Sequence, residues 1–445
     1  MAAETGSGAV VELLGKLIRN GCVSGGWPSS GEESRNAADL RAVLEGPGLD
    51  LEWFEPVPGR ASLIARISGA EPSSPSLCLL GHTDVVAAGT EGWRLDPFGG
   101  DVVDGEVWGR GAVDMLNQTA AMALAVRRLA DEGFRPAGDL VFWAVPDEEC
   151  GGLMGAKLVL DSAPDLVRTE YALTEVGGAV RQGRSGALID AYVADKGGGR
   201  VLITVRGQAG HSSLPYAASN ALVRAAEVVR RLDGWRPAIR ISEAWRRWVR
   251  TQEFSKDVME GLIDAQRIDE ILPTLPSDVA ANAHACTRCT AVPTIVTGGQ
   301  ASNIIPSTVA LTVNVRPTLG DDLDAIMAEL CLLLSDLVAP QDVVAQELIA
   351  ATESSTRTPL WHVLEGLVAD TYPGGRLVPS VLPAQTDARW LRPAGTTTYG
   401  FGLLSDRLTP REYWSRFHGC NERIDIESLT LSLHGWYEVA RRFLG

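Results

Sequence analysis

Helical and strand periodicities alternate through the first part of this chain, and that order admits few architectures. Val10–Arg19 and Glu33–Glu45 carry apolar residues at helical spacing, while Ser62–Ile67 and Ser76–Leu80 read as strands. Thr119–Glu132 is helical again, and Asp139–Val145 is a short apolar run suited to a buried strand. Such alternation predicts the α/β class, with a mixed, largely parallel sheet flanked by helices. It stops at Asp195-Lys196-Gly197-Gly198-Gly199-Arg200, where three consecutive glycines are expected to hold neither strand nor helix and to form a hinge. Beyond them the order becomes strand (Val201–Val205), helix (Ser219–Leu232), a mixed stretch, strand (Val309–Val315), helix (Leu323–Leu337) and strand (Val343–Ile349), which suits an inserted α+β sandwich. Two further helices, Leu360–Ala369 and Ile426–Phe443, return to the first character. The expected organisation is one domain interrupted by another: residues 1–195 and 352–445 around an insert at 196–351.

Composition removes several function classes. A chain of 445 residues with 45% hydrophobic and 22% charged side chains can build a sizeable core in two or three folding units, so neither a single small module nor wholesale disorder fits. The net charge of -16 repels a phosphate backbone, which argues against a nucleic-acid partner. Seven scattered cysteines suit a reducing compartment. No segment reaches the roughly 18 apolar residues of a membrane span, and the first residues lack a basic signal region, so the expectation is a cytoplasmic protein without a membrane partner.

Five loops carry acids or imidazoles in places where chemistry is usually found. Gly81-His82-Thr83-Asp84 directly follows an apolar strand; in His-x-Asp the imidazole can bind a metal while the carboxylate accepts its other N–H. Gly109-Arg110-Gly111-Ala112-Val113-Asp114-Met115 delivers one aspartate just before a helix, where its carboxylate can bridge two cations. Asp147-Glu148-Glu149 follows the buried strand, and three adjacent carboxylates raise one another's pKa values unless cations neutralise them. Glu175 ends the apolar run of Leu173-Thr174-Glu175, and His418 stands in Phe417-His418-Gly419-Cys420-Asn421-Glu422-Arg423. Taken singly, each has a plain structural reading as a packed histidine, a helix N-terminal charge or a solvated acidic loop. Five in this order are hard to obtain by accident.

The combined pattern resembles the aminoacylase, carboxypeptidase and succinyl-diaminopimelate desuccinylase family of dizinc metallohydrolases over nearly the whole chain. The resemblance implies that His82, Asp114 and Glu175 hold one metal while Asp114, Glu149 and His418 hold the other, with Asp114 bridging. It implies two Zn²⁺, with Co²⁺ or Mn²⁺ able to take the same positions. Asp84 then orients His82, and Glu148 is the general base that activates water. In the insert, Gly207-Gln208-Ala209-Gly210-His211-Ser212-Ser213 resembles the segment with the family's lid histidine, which stabilises the oxyanion and in family dimers reaches the partner's site. Asn303, in Ser302-Asn303-Ile304-Ile305-Pro306, and Arg316 resemble the recognition of a substrate carboxylate. Thr386-Asp387-Ala388-Arg389, Gly400 and Gly402 match loops near the site. A homodimer through the insert, acting as lid, is a further implication.

The function so implied is hydrolysis of the amide of an N-acyl amino acid or small peptide with a free carboxylate. A dipeptidase or aminopeptidase reading a free amine is the alternative, and a catalytically silent metal-binding protein a third, against which the presence of Glu148 counts. Met115-Leu116-Asn117-Gln118 departs from the lysine and glycine common in the family after the Asp-Met pair, and Trp235 to Pro293 lengthens the lid. Its tryptophans Trp235, Trp245 and Trp248 are read chiefly as core. His284, Cys286 and Cys289 lack the fourth ligand of a structural zinc site. His362 and His434 sit in helical patterns, and no phosphate-binding loop, dinucleotide fingerprint or serine nucleophile elbow is present.

Overall fold

A computed structural model describes residues 6–25 and 31–445. The chain forms two compact units: residues 1–193, 354–380 and 386–445 make the first, and 194–353 with 381–385 the second. Residues 381–385, expected in the returning part of the first domain, belong to the second unit.

The first unit is built on a mixed sheet. Its strands follow the order Asp50–Val57, Arg60–Ile67, Leu140–Val145, Leu77–His82, Tyr171–Thr174, Thr397–Gly400 and Gly186–Asp195. The four from Leu140–Val145 to Thr397–Gly400 are parallel, and the flanking strands are antiparallel. Leu140–Val145 is buried at every position, which is why it reads as a continuous apolar run instead of an alternating one. Cys78, Leu80, Val141, Trp143 and Val145 pack on Ala156 and Val159 of the helix Ala156–Ser162. The helix Leu116–Asp131 packs on the same two strands, and Ile426–Leu444 and Ser7–Arg19 pack on it in turn. It begins three residues before the expected Thr119, and Asn117 and Gln118 are buried within its first turn. Gln118 accepts a hydrogen bond from Trp436 Nε1 at 2.9 Å, so the sequence departure at this point is a packing contact.

The second unit is a two-layer α+β sandwich. Its antiparallel sheet runs Thr290–Gly298, Thr308–Arg316, Gly198–Arg206, Val343–Ile349. Val201, Ile203, Val205, Val309, Leu311 and Val313 present one face to Ala225, Val228 and Leu232 of Ala221–Asp233 and to Ile326 and Leu330 of Leu323–Leu333. The period-two apolar pattern of the strands and the three- and four-residue pattern of the helices meet there. The mixed stretch of the sequence is mostly helical, with Glu243–Thr251, Lys256–Leu262 and Ser277–Cys286. Trp245 and Trp248 stack at 4.7 Å between ring centroids and are buried.

One expectation is corrected here. Gly198 and Gly199 do not break the chain; they begin the strand Gly198–Arg206. A Cβ on Gly199 would lie 2.5 Å from Leu348 Cα, and one on Gly197 2.2 Å from the Ile349 carbonyl oxygen. These glycines permit close strand approach and do not loosen the backbone. No helix among the described residues is long and apolar enough to cross a membrane, and none of the seven cysteines forms a disulfide.

Candidate metal centre

Three neighbouring parallel strands end side by side, and each hands an acid or imidazole to the same place. His82 closes Leu77–His82 and pairs in register with Val145, so the loop of Asp147, Glu148 and Glu149 starts beside it. Glu175 follows Tyr171–Thr174, the neighbour on the other side. This is the carboxyl edge of the parallel strands, where sites form in open α/β sheets. Asp114 arrives from the turn before Leu116–Asp131, and His418 from the loop after the helix Pro410–Arg416. Three of the residues with left-handed backbone lie here: Asp147, Val176 and His418 hold φ of 72°, 67° and 56°. Left-handed backbone at non-glycine residues is tolerated only where surrounding contacts enforce it.

The donor atoms form two groups that share one residue. His82 Nε2 is 3.2 Å from Asp114 Oδ1 and 3.6 Å from Glu175 Oε2. On the other side His418 Nε2 is 3.0 Å from Asp114 Oδ2 and 3.1 Å from Glu149 Oε2. Within each group all ligand atoms lie within 4.8 Å of one another. The structure thus brings together all five expected ligands, with Asp114 offering one oxygen to each group. Burial pushes the Glu149 carboxyl up to about 8, with the Asp114 charge adding to it, and raises Glu175 well above the usual range. Hydrogen bonds to Asp114 and Glu149 push the His418 imidazole up to about 10. Three carboxylates share these two groups with two imidazoles, so they call for more positive charge than the imidazoles carry, and Glu149 Oε1 has no hydrogen-bond partner among the described residues. Divalent cations bound by both groups would supply that charge, so the donor set fits a pair of metals.

Asp84 acts differently from the expectation. The ring Nδ1 of His82 donates to the main-chain oxygen of Asp84 at 2.9 Å, and the carboxylate stands 3.6 Å away. That carboxylate instead accepts the backbone N–H groups of Glu148 at 3.2 Å and Glu149 at 3.1 Å. It thereby fixes the turn that carries the candidate base and one ligand. Burial raises its pKa to about 6.

Two further groups were missed because their partners lie far away in sequence. Glu422, fully buried, accepts from the backbone N–H groups of Gly111, Val113 and Asp114 at 3.1, 2.7 and 3.0 Å through Oε1. Its Oε2 takes Arg110 Nη1 at 2.6 Å, and Arg110 Nη2 donates to the His418 carbonyl at 3.2 Å. One carboxylate and one guanidinium therefore tie the Asp114 turn to the His418 loop. A buried acid four residues after a candidate ligand was the only available signal. Arg60 similarly pairs with Asp147 at 2.5 Å and stands 3.5 Å from Glu33.

The remaining expected residues fall in two places. A Cβ on Gly400 would meet the Glu175 carbonyl oxygen at 2.6 Å, and one on Gly402 would meet Gln118 Nε2 at 2.6 Å. Both glycines therefore serve the close packing of the Glu175 loop. In the second unit, exposed His211 pairs with Ile304 across a two-residue ladder, and Ser212 N–H donates to the Asn303 carbonyl at 3.0 Å. His211 and Asn303 are thus neighbours. Arg316 is not with them: it ends Thr308–Arg316, roughly 25 Å along the strand from the end nearer Asn303 at about 3.3 Å per residue.

A model of the peptidase family M20/M25/M40 matches residues 78–442. The chain is 26% identical over 401 residues to an N-fatty-acyl-amino acid synthase/hydrolase of Xenopus tropicalis, covering 86% of this chain and 75% of that one. It is 26% identical over 364 residues to aminoacylase-1 of Sus scrofa, with 80% and 79% covered. Among solved structures, an M20 family metallo-carboxypeptidase from Sulfolobus solfataricus matches with a TM-score of 0.73 at 15% identity, over 98% of this chain and 99% of that one. At that identity the likeness shows the fold.

Proposed function

Since the chain belongs to peptidase family M20/M25/M40 and is accordingly a metal-dependent hydrolase, we propose that it cleaves the amide bond of N-acyl amino acids or small peptides bearing a free carboxylate. The observation that carries the reading is the pair of donor groups sharing Asp114, with Glu148 on the turn between their ligands. His82, Asp114 and Glu175 would hold one cation and Asp114, Glu149 and His418 the other, Zn²⁺ in both or Co²⁺ or Mn²⁺ in its place. When bound, such ions polarise a carbonyl and make water a better nucleophile.

The chain's own residues supply the rest. Glu148 takes a proton from the attacking water as its oxygen bonds to the amide carbon, and returns it to the nitrogen as the C–N bond breaks, leaving a carboxylic acid and an amine. Asp84 keeps Glu148 and Glu149 in register through their amides. His211, with Asn303 beside it, donates to the oxyanion of the tetrahedral intermediate, and Arg316 grips the substrate carboxylate. With His211 and Asn303 near one end of Thr308–Arg316 and Arg316 at the other, the reading favours a homodimer in which one subunit lends His211 to its partner's site. The outer strand Thr290–Gly298 suits that pairing, because its edge carries exposed Val292, Ile295 and Val296.

Metal content per chain, measured beside hydrolysis of N-acetyl, N-succinyl and long-chain N-acyl amino acids and dipeptides, tests the proposal. Two metals and chelator-sensitive turnover of carboxylate-bearing substrates are expected. A chain purified without metal that binds none on reconstitution refutes the ligand assignment.

A further inference from the structure

The candidate base is not alone in its pocket. Glu148 Oε1 receives Arg389 Nη2 at 2.6 Å, and the same nitrogen donates to the Glu148 carbonyl oxygen at 3.0 Å. Both side chains are buried, with 9% and 8% exposure. One guanidinium nitrogen therefore binds the backbone and the carboxylate of the same residue, which leaves the Glu148 side chain few rotamers. The surrounding segment is shaped for this contact. Trp390 Nε1 donates to the Gly151 carbonyl at 3.0 Å, and a Cβ on Gly152, whose φ is 71°, would lie 2.5 Å from Asp387 Oδ1. Asp387, itself buried, has its Oδ1 3.8 Å from the same Arg389 Nη2, so that nitrogen has a second carboxylate nearby. Residues 387–390 thus cradle the turn 148–152, while Asp84 grips that turn by its amides.

We propose that Arg389 is the positioning residue of the base: it holds the Glu148 carboxylate at one point through Oε1 and leaves Oε2 for the attacking water. This inference rests on the hydrolase reading above. A general base is worth about 10² to 10⁴ in rate only when its oxygen meets the proton at hydrogen-bond distance, and a misplacement of about 1 Å can cost 10². Arginine suits the task better than lysine because its planar, delocalised charge tolerates burial and spans two acceptors. Arg389 meets the base through the Glu148 carboxylate and carbonyl, so its effect passes through Glu148.

The test uses the metal-loaded enzyme in five forms: wild type, Arg389→Ala, Arg389→Lys, Glu148→Gln and the Arg389→Ala/Glu148→Gln double variant. Arg389→Ala should lower kcat by about 10² with KM changed less than about 3-fold and metal content unchanged. Arg389→Lys should keep part of that loss, and added guanidinium should restore part of the Ala variant's rate. In the Glu148→Gln background, Arg389→Ala should cost less than about 3-fold, because both changes remove one function. Crystal structures of wild type and Arg389→Ala should show the Glu148 carboxylate displaced or split in the variant. A rise in KM alone, an equal loss in the Glu148→Gln background, or an unmoved Glu148 overturns the proposal. Failure of the wild type to hydrolyse any substrate in the panel refutes the hydrolase reading instead, and the Glu148 position in the two crystal structures still decides the role of Arg389.

Discussion

Replacing Glu422 by glutamine should damage the metal centre although residue 422 is not expected to touch a metal. The carboxylate accepts three backbone N–H groups, at 3.1, 2.7 and 3.0 Å, and a guanidinium at 2.6 Å, with no exposure to water. An amide of the same shape keeps one oxygen for the turn but presents N–H donors to Arg110, whose own side chain is only 3% exposed. Breaking a buried pair by removing one charge costs about 3–5 kcal/mol, since the remaining ion has no counter-charge. For a large folding unit that amounts to a fall in melting temperature on the order of 5–15 °C. The loss also reaches Asp114, whose N–H is one of the three, and His418, whose carbonyl Arg110 holds. Weakened support behind ligands usually lowers metal affinity about 10- to 100-fold. Differential scanning calorimetry of the apo and metal-loaded forms, with metal titration by calorimetry, reads both effects. Wild-type metal affinity together with an unchanged melting temperature would refute the reasoning.

Glu148→Gln should lower kcat by at least about 10² while two metals remain bound; near-native turnover would remove Glu148 from the role of base. Glu33 is fully buried, both its carboxylate oxygens lack a hydrogen-bond partner among the described residues, and burial followed by the Asp84 charge pushes its pKa up to about 8 from 4.5. The unfolded chain then releases this proton first, so the contribution of Glu33 to stability is complete below about pH 4.5 and is lost as pH rises through about 8. Glu33→Gln should therefore raise stability near pH 8 by on the order of 1–3 kcal/mol and change it little near pH 4.5, as followed by thermal melts; equal melting curves at both pH values would contradict the assignment. Val296, 62% exposed on the outer strand Thr290–Gly298, should tolerate lysine without loss of fold, and sedimentation should then show monomer where the wild type is dimeric. A dimeric Val296→Lys variant would place the interface elsewhere.

Local periodicity and residue chemistry determined a good deal of this protein on their own. The α/β class follows from helices and strands in alternation, because a period of 3.6 or 2 is set by near neighbours along the chain. The five candidate loops were equally legible, because each acid or imidazole follows its strand or turn within a few residues, as His82 follows Leu77–Leu80; their division into two ligand sets came from the family resemblance. What the glycines do was misread for the opposite reason. Whether Gly197 to Gly199 bend or pack depends on the strand Val343–Ile349, which local sequence does not show. The same holds for the supports of the site. Arg389 reaches Glu148 across 241 positions and Arg110 reaches Glu422 across 312, so no spacing rule announces either pair. Asp84 was expected to grip His82 with its carboxylate, yet the tertiary arrangement gives that task to its main-chain carbonyl and spends the carboxylate on two loop amides. Sequence therefore determined which groups can bind and react, since that is intrinsic to the side chain. Only the tertiary structure decided which groups hold them still, since buried polar atoms take whichever partners the packed chain brings within about 3 Å.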